Sequence, residues 1–169
     1  MKRLHIIGGK NHGKTTLVVE LVKELTRRGV SVGTIKHTHH QHELDLPGKD
    51  SYLHRLAGAA PVGILSPSIS AMFWPATDNS EVSDRYSAFG PMFARCQLVL
   101  VEGDSQATAP KIEVWRSELS TVPLASHDKS VLAIVTDEPP PTAAKILSRS
   151  DVRGLAEWIL DQFVERPVA

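Results

Sequence analysis

Gly8-Gly9-Lys10-Asn11-His12-Gly13-Lys14-Thr15 decides the fold, and it fits the pattern G-x-x-x-x-G-K-[ST]. Its setting carries more weight than the string itself. Leu4 to Ile7 is a short apolar run closed by Gly8-Gly9, and Leu17, Leu21, Val22 and Leu25 then recur at helical spacing until Gly29. A strand, a glycine loop and a helix are therefore predicted in the order a phosphate cradle requires. In such a loop the backbone N–H groups converge on phosphate oxygens, glycines permit the close approach, and the helix N-terminus adds its partial positive charge. Lys14 would reach the β- and γ-phosphates and Thr15 would offer its hydroxyl to Mg²⁺. Thr16 would bond the α-phosphate or simply occupy the first helical turn. The expected nucleotide-binding set on this loop is Gly8, Gly9, Lys10, Asn11, His12, Gly13, Lys14, Thr15 and Thr16.

Outward from the loop, Val30 to Ile35 is a β-branched run after the Gly29 stop, which completes a strand–helix–strand unit. Sterics make that unit a right-handed parallel crossover. Thr38 to Lys49 is polar and ends in Pro47-Gly48, after which Asp50 or Ser51 is expected to cap a short helix through Leu53, Leu56 and Ala57. Val62 to Leu65 and Ile69 to Trp74, separated by Ser66-Pro67-Ser68, read as an inserted β-hairpin. Asp78 to Arg95 reads as a helix with Tyr86, Phe89 and Phe93 on one side, broken or kinked at Gly90-Pro91. Leu98 to Val101, Ile112 to Trp115 and Val131 to Val135 are strands of the buried parallel kind, and Asp151 to Val164 is a final amphipathic helix. The expectation is an α/β, P-loop NTPase-like three-layer fold with a mostly parallel sheet. One nucleotide-binding domain spans 1–169, with the hairpin inserted at about 61–75.

Two further strand ends carry acids. Leu98 to Val101 runs into Glu102-Gly103-Asp104, which places Glu102 where a metal-site acid belongs. Glu102 would bind Mg²⁺ through water, orient an attacking water, or merely face solvent; Asp104 is the weaker candidate, equally a turn residue. Lys14 and Glu102 are the expected catalytic pair, and Thr15 with Glu102 the metal pair. Val131 to Val135 ends in Thr136-Asp137, and an Asp there suits guanine, whose ring N1–H and exocyclic amine both donate to one carboxylate. The N/T-K-x-D string of many GTPases is absent, because Asp137 follows Thr136 directly.

His37, His39, His40 and His42 crowd the loop after the second strand. Strand-like alternation sends His37 and His39 to one face and His40 and His42 to the other, so one ion would not collect all four without a sharp bend. A metal site, a plain solvated loop, and a second anion site with Lys36, Lys49 and Arg55, suited to a phosphorylated ligand, remain the three readings of the cluster His37, His39 and His40.

Composition bounds the classes. The chain has 169 residues, with 19 Lys+Arg against 19 Asp+Glu, so no global field draws it to nucleic acid or an anionic membrane. A chain of this length buries about 70 % of its unfolded surface, enough for a core without staples. Cys96 is the only cysteine, which excludes internal disulfides and cysteine-based zinc sites. No stretch reaches the roughly 18 apolar residues of a membrane span, and the first residues carry no leader pattern, so a cytoplasmic setting is expected.

Several of these stretches together resemble the molybdopterin-guanine dinucleotide biosynthesis adapter family, the MobB family. They are the loop Gly8 to Thr16, Val32-Gly33-Thr34-Ile35-Lys36-His37-Thr38-His39-His40, Asp45-Leu46-Pro47-Gly48-Lys49-Asp50-Ser51-Tyr52, and Leu100-Val101-Glu102-Gly103 with Pro110-Lys111-Ile112-Glu113-Val114. The resemblance implies a GTP-binding protein with Mg²⁺ and weak hydrolysis, acting as an accessory to the guanylyltransferase that joins GMP to molybdopterin, with that enzyme and its pterin as partners. It also implies a homodimer formed partly through the extra hairpin, here Val62 to Trp74. Two positions depart from the pattern: His12 stands where many P-loops have Ser, and Asp104 stands where an aromatic residue often follows. Two rival readings are a metal-delivering nickel or zinc GTPase using the histidine loop, and a small-molecule kinase with Asp45 or Asp50 as base.

Overall fold

A computed structural model describes residues 1–75 and 84–164. It divides into two compact units, Met1–Thr38 with Tyr86–Ala169, and His39–Arg85. The first unit is built on a six-stranded sheet in the order β2-β5-β1-β6-β7-β8, with every pairing parallel. Its strands are β1 (Arg3–Ile7), β2 (Val32–Lys36), β5 (Leu98–Glu102), β6 (Lys111–Val114), β7 (Val131–Val135) and β8 (Ile146–Leu147). The edge strand β8 is too short to show any period in the sequence. It is recruited by backbone pairing, Ile134 N–H to Lys145 O at 2.8 Å and Thr136 N–H to Leu147 O at 3.0 Å.

Helices α1 (Lys14–Arg27) and α3 (Val152–Phe163) share one face of that sheet. Because side chains alternate across a strand, Leu4 and Ile6, Leu98 and Leu100, Ile112 and Val114, and Ala133 and Val135 all point to this face. There they pack with Leu17, Leu21, Leu25, Leu155 and Ile159. The opposite face is covered by Tyr86, Phe93 and Cys96 against Val99 and Val101. The helix expected over Asp78 to Arg95 is corrected here: the part from Asp84 onward forms a single 3₁₀ turn, Ser87–Phe89, followed by further turns. Bonds of the i→i+3 kind run from Phe89 to Tyr86, Gly90 to Ser87 and Met92 to Phe89. Pro91 has no N–H to continue an α-helical ladder. Asp78 to Ser83 lie outside the described residues.

Helix α1 stops at Gly29 for a backbone reason. Gly29 takes φ +82°, its N–H bonds Thr26 O at 2.9 Å, and the Val30 N–H reaches back to Leu25 O at 3.1 Å. This is a Schellman closure with buried Val30 and Leu25 in contact range across it. Helix α3 starts where the Asp151 carboxylate accepts the Gly154 N–H at 2.9 Å.

The second unit holds α2 (Asp50–Leu56) and an antiparallel hairpin of β3 (Val62–Leu65) and β4 (Ser70–Phe73). The capping expectation is corrected: Lys49 holds the cap position without a side-chain bond. Asp50 is the first helical residue, and the Ser51 hydroxyl donates to Asp45 Oδ1 at 3.0 Å instead of capping. The hairpin closes through the Ser66 N–H on Ile69 O at 3.1 Å. Most of its large apolar side chains stand in the open, Leu65 at 91 % and Ile69 at 73 % exposure. Among the described residues no helix is long and apolar enough to cross a membrane.

Candidate functional site

The glycine loop leaves the carboxyl end of β1 and enters α1. Gly8 takes φ +138°, and a side chain there would run into the Val114 carbonyl of the neighbouring strand β6. A Cβ at Gly9 would lie 2.8 Å from the His12 ring, and Asn11 and Gly13 take φ +66° and +91°. The loop therefore folds tightly over itself, as backbone donors must if they are to converge on one anion. Lys14 is folded back along it, its Nζ donating to Gly8 O at 2.9 Å and Gly9 O at 2.7 Å. Desolvation lowers the Lys14 pKa, with Glu102 opposing and Lys36 reinforcing the shift.

On β5, Glu102 shares the alternation of Leu98 and Leu100, so it lies on the α1 side of the sheet. Its Oε1 accepts the Thr15 hydroxyl at 2.7 Å. A hydroxyl and a carboxylate brought together beside the loop form a hard oxygen donor pair, the kind that a small cation such as Mg²⁺ accepts alongside phosphate oxygens. Lys10, Asn11, Gly13, Lys14, Thr15, Thr16 and Glu102 line one groove. Thr16 is exposed in the first turn of α1.

Around Glu102 the turn is pinned from several sides. The Gly103 N–H donates to Ile6 O at 2.9 Å and the His37 N–H to Glu102 O at 2.9 Å. Asp104 is buried at φ +62° and accepts the Tyr86 hydroxyl at 2.7 Å. The geometry gives Asp104 the role of a turn anchor. Buried His5 bonds Gly103 O through Nδ1 at 3.2 Å and stacks edge-on against Tyr86; burial lowers its pKa.

His12 is the loop residue the sequence explains least and the tertiary structure explains best. It is buried, its Nδ1 accepts the Arg116 N–H at 3.1 Å, and its Nε2 lies 3.2 Å from the Thr121 hydroxyl. Burial lowers its pKa, reinforced by Lys14 and Arg116 and opposed by Glu113. It ties the phosphate loop to the segment after β6. Arg116, which sequence reading passed over, sits one residue beyond the predicted strand end Trp115. That placement was legible; its approach to the loop was not.

Asp137, exposed at the end of β7, collects the Ser148 hydroxyl at 2.7 Å and the Ser150 N–H at 3.0 Å on Oδ1. The Ser150 and Ser148 bonds hold its pKa below the usual carboxylate range. The cluster read as a second anion site divides between the units. Lys36 and His37 belong to the first; His39, His40, Lys49 and Arg55 belong to the second. Arg55 is paired with Glu43 at 2.6 Å and lies over the Tyr52 ring. Asp45 is buried, with Oδ1 holding the Leu46 N–H at 2.8 Å. Among the described residues no group of three or more His, Cys, Asp or Glu side chains is arranged to hold a metal ion.

The family model of molybdopterin guanine dinucleotide synthesis protein B matches residues 3–137. The chain is 35 % identical over 150 residues to the molybdopterin-guanine dinucleotide biosynthesis adapter protein of Escherichia coli (strain K12), covering 88 % of this chain and 86 % of that one. It is 36 % identical over 157 residues to the protein of the same name from Haemophilus influenzae, covering 92 % and 86 %. A crystal structure of molybdopterin-guanine biosynthesis protein B superposes with a TM-score of 0.71 at 29 % identity, covering 95 % of this chain and 98 % of the other.

Proposed function

This chain belongs to the molybdopterin guanine dinucleotide synthesis protein B family, and from that premise we propose that it is a GTP-binding adapter in molybdopterin guanine dinucleotide biosynthesis. The observation that carries the reading is the contact of Thr15 with Glu102 at 2.7 Å beside a glycine loop that already holds Lys14 along its carbonyls. Loop amides cradle the phosphates, Lys14 neutralises their charge, and Thr15 and Glu102 hold Mg²⁺. Mg²⁺ held there would supply the remaining neutralisation of phosphate charge. Asp137 takes the guanine edge with its carboxylate, at the loop that its own Oδ1 bonds to Ser148 and Ser150 keep in place.

Phosphoryl transfer to water is slow without a group that orients the water or caps the developing charge, and Glu102 is the acid in position to contribute. The protein is therefore a weak GTPase and chiefly a nucleotide-dependent adapter, working in the cytoplasm as a homodimer with the guanylyltransferase and its pterin. Co-precipitation of the guanylyltransferase, with and without GTP, by the wild-type chain and by Lys14→Ala tests this. Capture that rises with GTP in the wild type alone supports it. Equal capture by both proteins under both conditions removes the nucleotide from the reading, and ATP binding as tightly as GTP by calorimetry removes the role of Asp137.

A further inference from the structure

Resting on the nucleotide reading above, we infer that Arg116 is a nucleotide-positioning residue whose guanidinium meets the α-phosphate and ribose edge of the bound nucleotide. Three observations converge on it. The strand order places β6 between β1, which leads into the phosphate loop, and β7, which is followed two residues later by Asp137. Arg116 follows β6, so it stands between the phosphate end and the base end of the groove. Its guanidinium packs against the backbone of Gly13: a Cβ on that glycine would lie 3.1 Å from Nη2, 3.7 Å from Cζ and 3.8 Å from Nε. This puts a planar, forked cation beside the residue that opens α1.

The root of the side chain is fixed from both directions. The Arg116 N–H is held by buried His12 at 3.1 Å, and the next N–H, of Ser117, donates to Glu138 Oε2 at 2.7 Å. The first bond belongs to the phosphate loop and the second to the residue beside Asp137. The arm is thereby strung between the two halves of the site by main-chain groups, which survive any change of the side chain. The side chain's own partner is Glu118 at 3.4 Å, with both groups substantially exposed, 43 % and 65 %. Such a surface pair is weak, and a phosphate oxygen is the stronger acceptor for a guanidinium fork. Lys14, bound along Gly8 and Gly9, serves the β/γ end; Arg116 serves the end toward the nucleoside.

The test is calorimetry with Mg²⁺, titrating GTP and inorganic pyrophosphate into the wild-type chain, Arg116→Ala, Arg116→Lys and Lys14→Ala. Arg116→Ala is expected to weaken GTP about tenfold or more, the scale of one lost charge-assisted bond, and to leave pyrophosphate within about threefold. Arg116→Lys should fall between, and Lys14→Ala should weaken both ligands. GTP affinity unchanged in Arg116→Ala, with Lys14→Ala defective, would overturn the inference and leave the nucleotide reading intact. Equal weakening of GTP and pyrophosphate would overturn the placement on the nucleoside side. A wild-type chain that takes up neither ligand sinks the nucleotide reading itself. Thermal melts accompany each variant; should the alanine variant melt below the titration temperature, the lysine variant decides on the same two ligands.

Discussion

At the scale of single residues, the site is held by groups that have no slack. Gly8 is the clearest case, because its positive φ and the Val114 carbonyl at its Cβ position both exclude a side chain. Gly8→Ala is expected to abolish measurable GTP binding while the sheet still forms, and nucleotide titration beside a far-ultraviolet spectrum checks both halves. His12 gives a second handle. Neutral His12 accepts the Arg116 N–H through Nδ1, and a proton there would break that bond. His12 faces Lys14 and Arg116, which disfavour its charge, and Glu113, which favours it; burial dominates. His5, buried beside Gly103, is likewise held below its ordinary value of 6.5, with Arg3 and His37 opposing its charge and Asp104 favouring it. A histidine whose folded pKa is depressed contributes nothing to the pH slope while it is neutral in both states. Below about 6.5 the unfolded chain binds protons that the native chain refuses. Stability should therefore hold level from pH 8 to 7 and decline as pH falls below about 6.5. His12→Asn, whose side-chain oxygen can accept the same N–H, should decline less steeply; an identical slope for the two proteins rules His12 out as a source.

At the scale of elements, caps and periods explain most of the layout. α1 is delimited by glycines at both ends, and α3 by the Asp151 carboxylate on the Gly154 N–H. Asp151→Ala is expected to cost about 0.5–2 kcal/mol, as for other helix N-caps, measured by denaturant titration; a change under a few tenths would mean the bond is redundant. Strong periods were readable: β1, α1, β5, β7 and α3 lie within a residue or two of where alternation and helical spacing place them. Weak ones were not. The expected helix leading to Arg95 became turns, because Gly90-Pro91 cannot support the ladder, and without it Tyr86 is buried and Phe93 half-buried against the sheet. Ser51 looked like a cap, yet its hydroxyl was claimed by Asp45, a partner no local pattern reveals.

At the scale of the whole molecule, the unit His39–Arg85 contrasts with the sheet unit in how little it buries. Helix α2 has no buried residue, and Leu44, Leu46, Leu56, Leu65, Ile69 and Met72 are all more than half exposed. A hairpin alone is marginal in water, which is the physical support for a homodimer in which hairpins meet. Light scattering at micromolar concentration should return twice the chain mass, and Leu65→Glu with Ile69→Glu should halve it; a monomeric wild type ends that proposal. The order strand, glycine loop, helix and the acid closing a buried apolar run were determined by the sequence alone, because they follow from local sterics and from alternation, which need no knowledge of distant residues. The family resemblance was legible for the same reason, in contiguous motifs. Only the tertiary structure decided that His12 binds the amide of Arg116 and that Asp104 is buried under the Tyr86 hydroxyl, and it gave Thr15 and Glu102, which the sequence already pairs, their direct bond. Each of those contacts joins residues far apart in the chain, and their encounter depends on strand order and register, which short-range preferences do not encode.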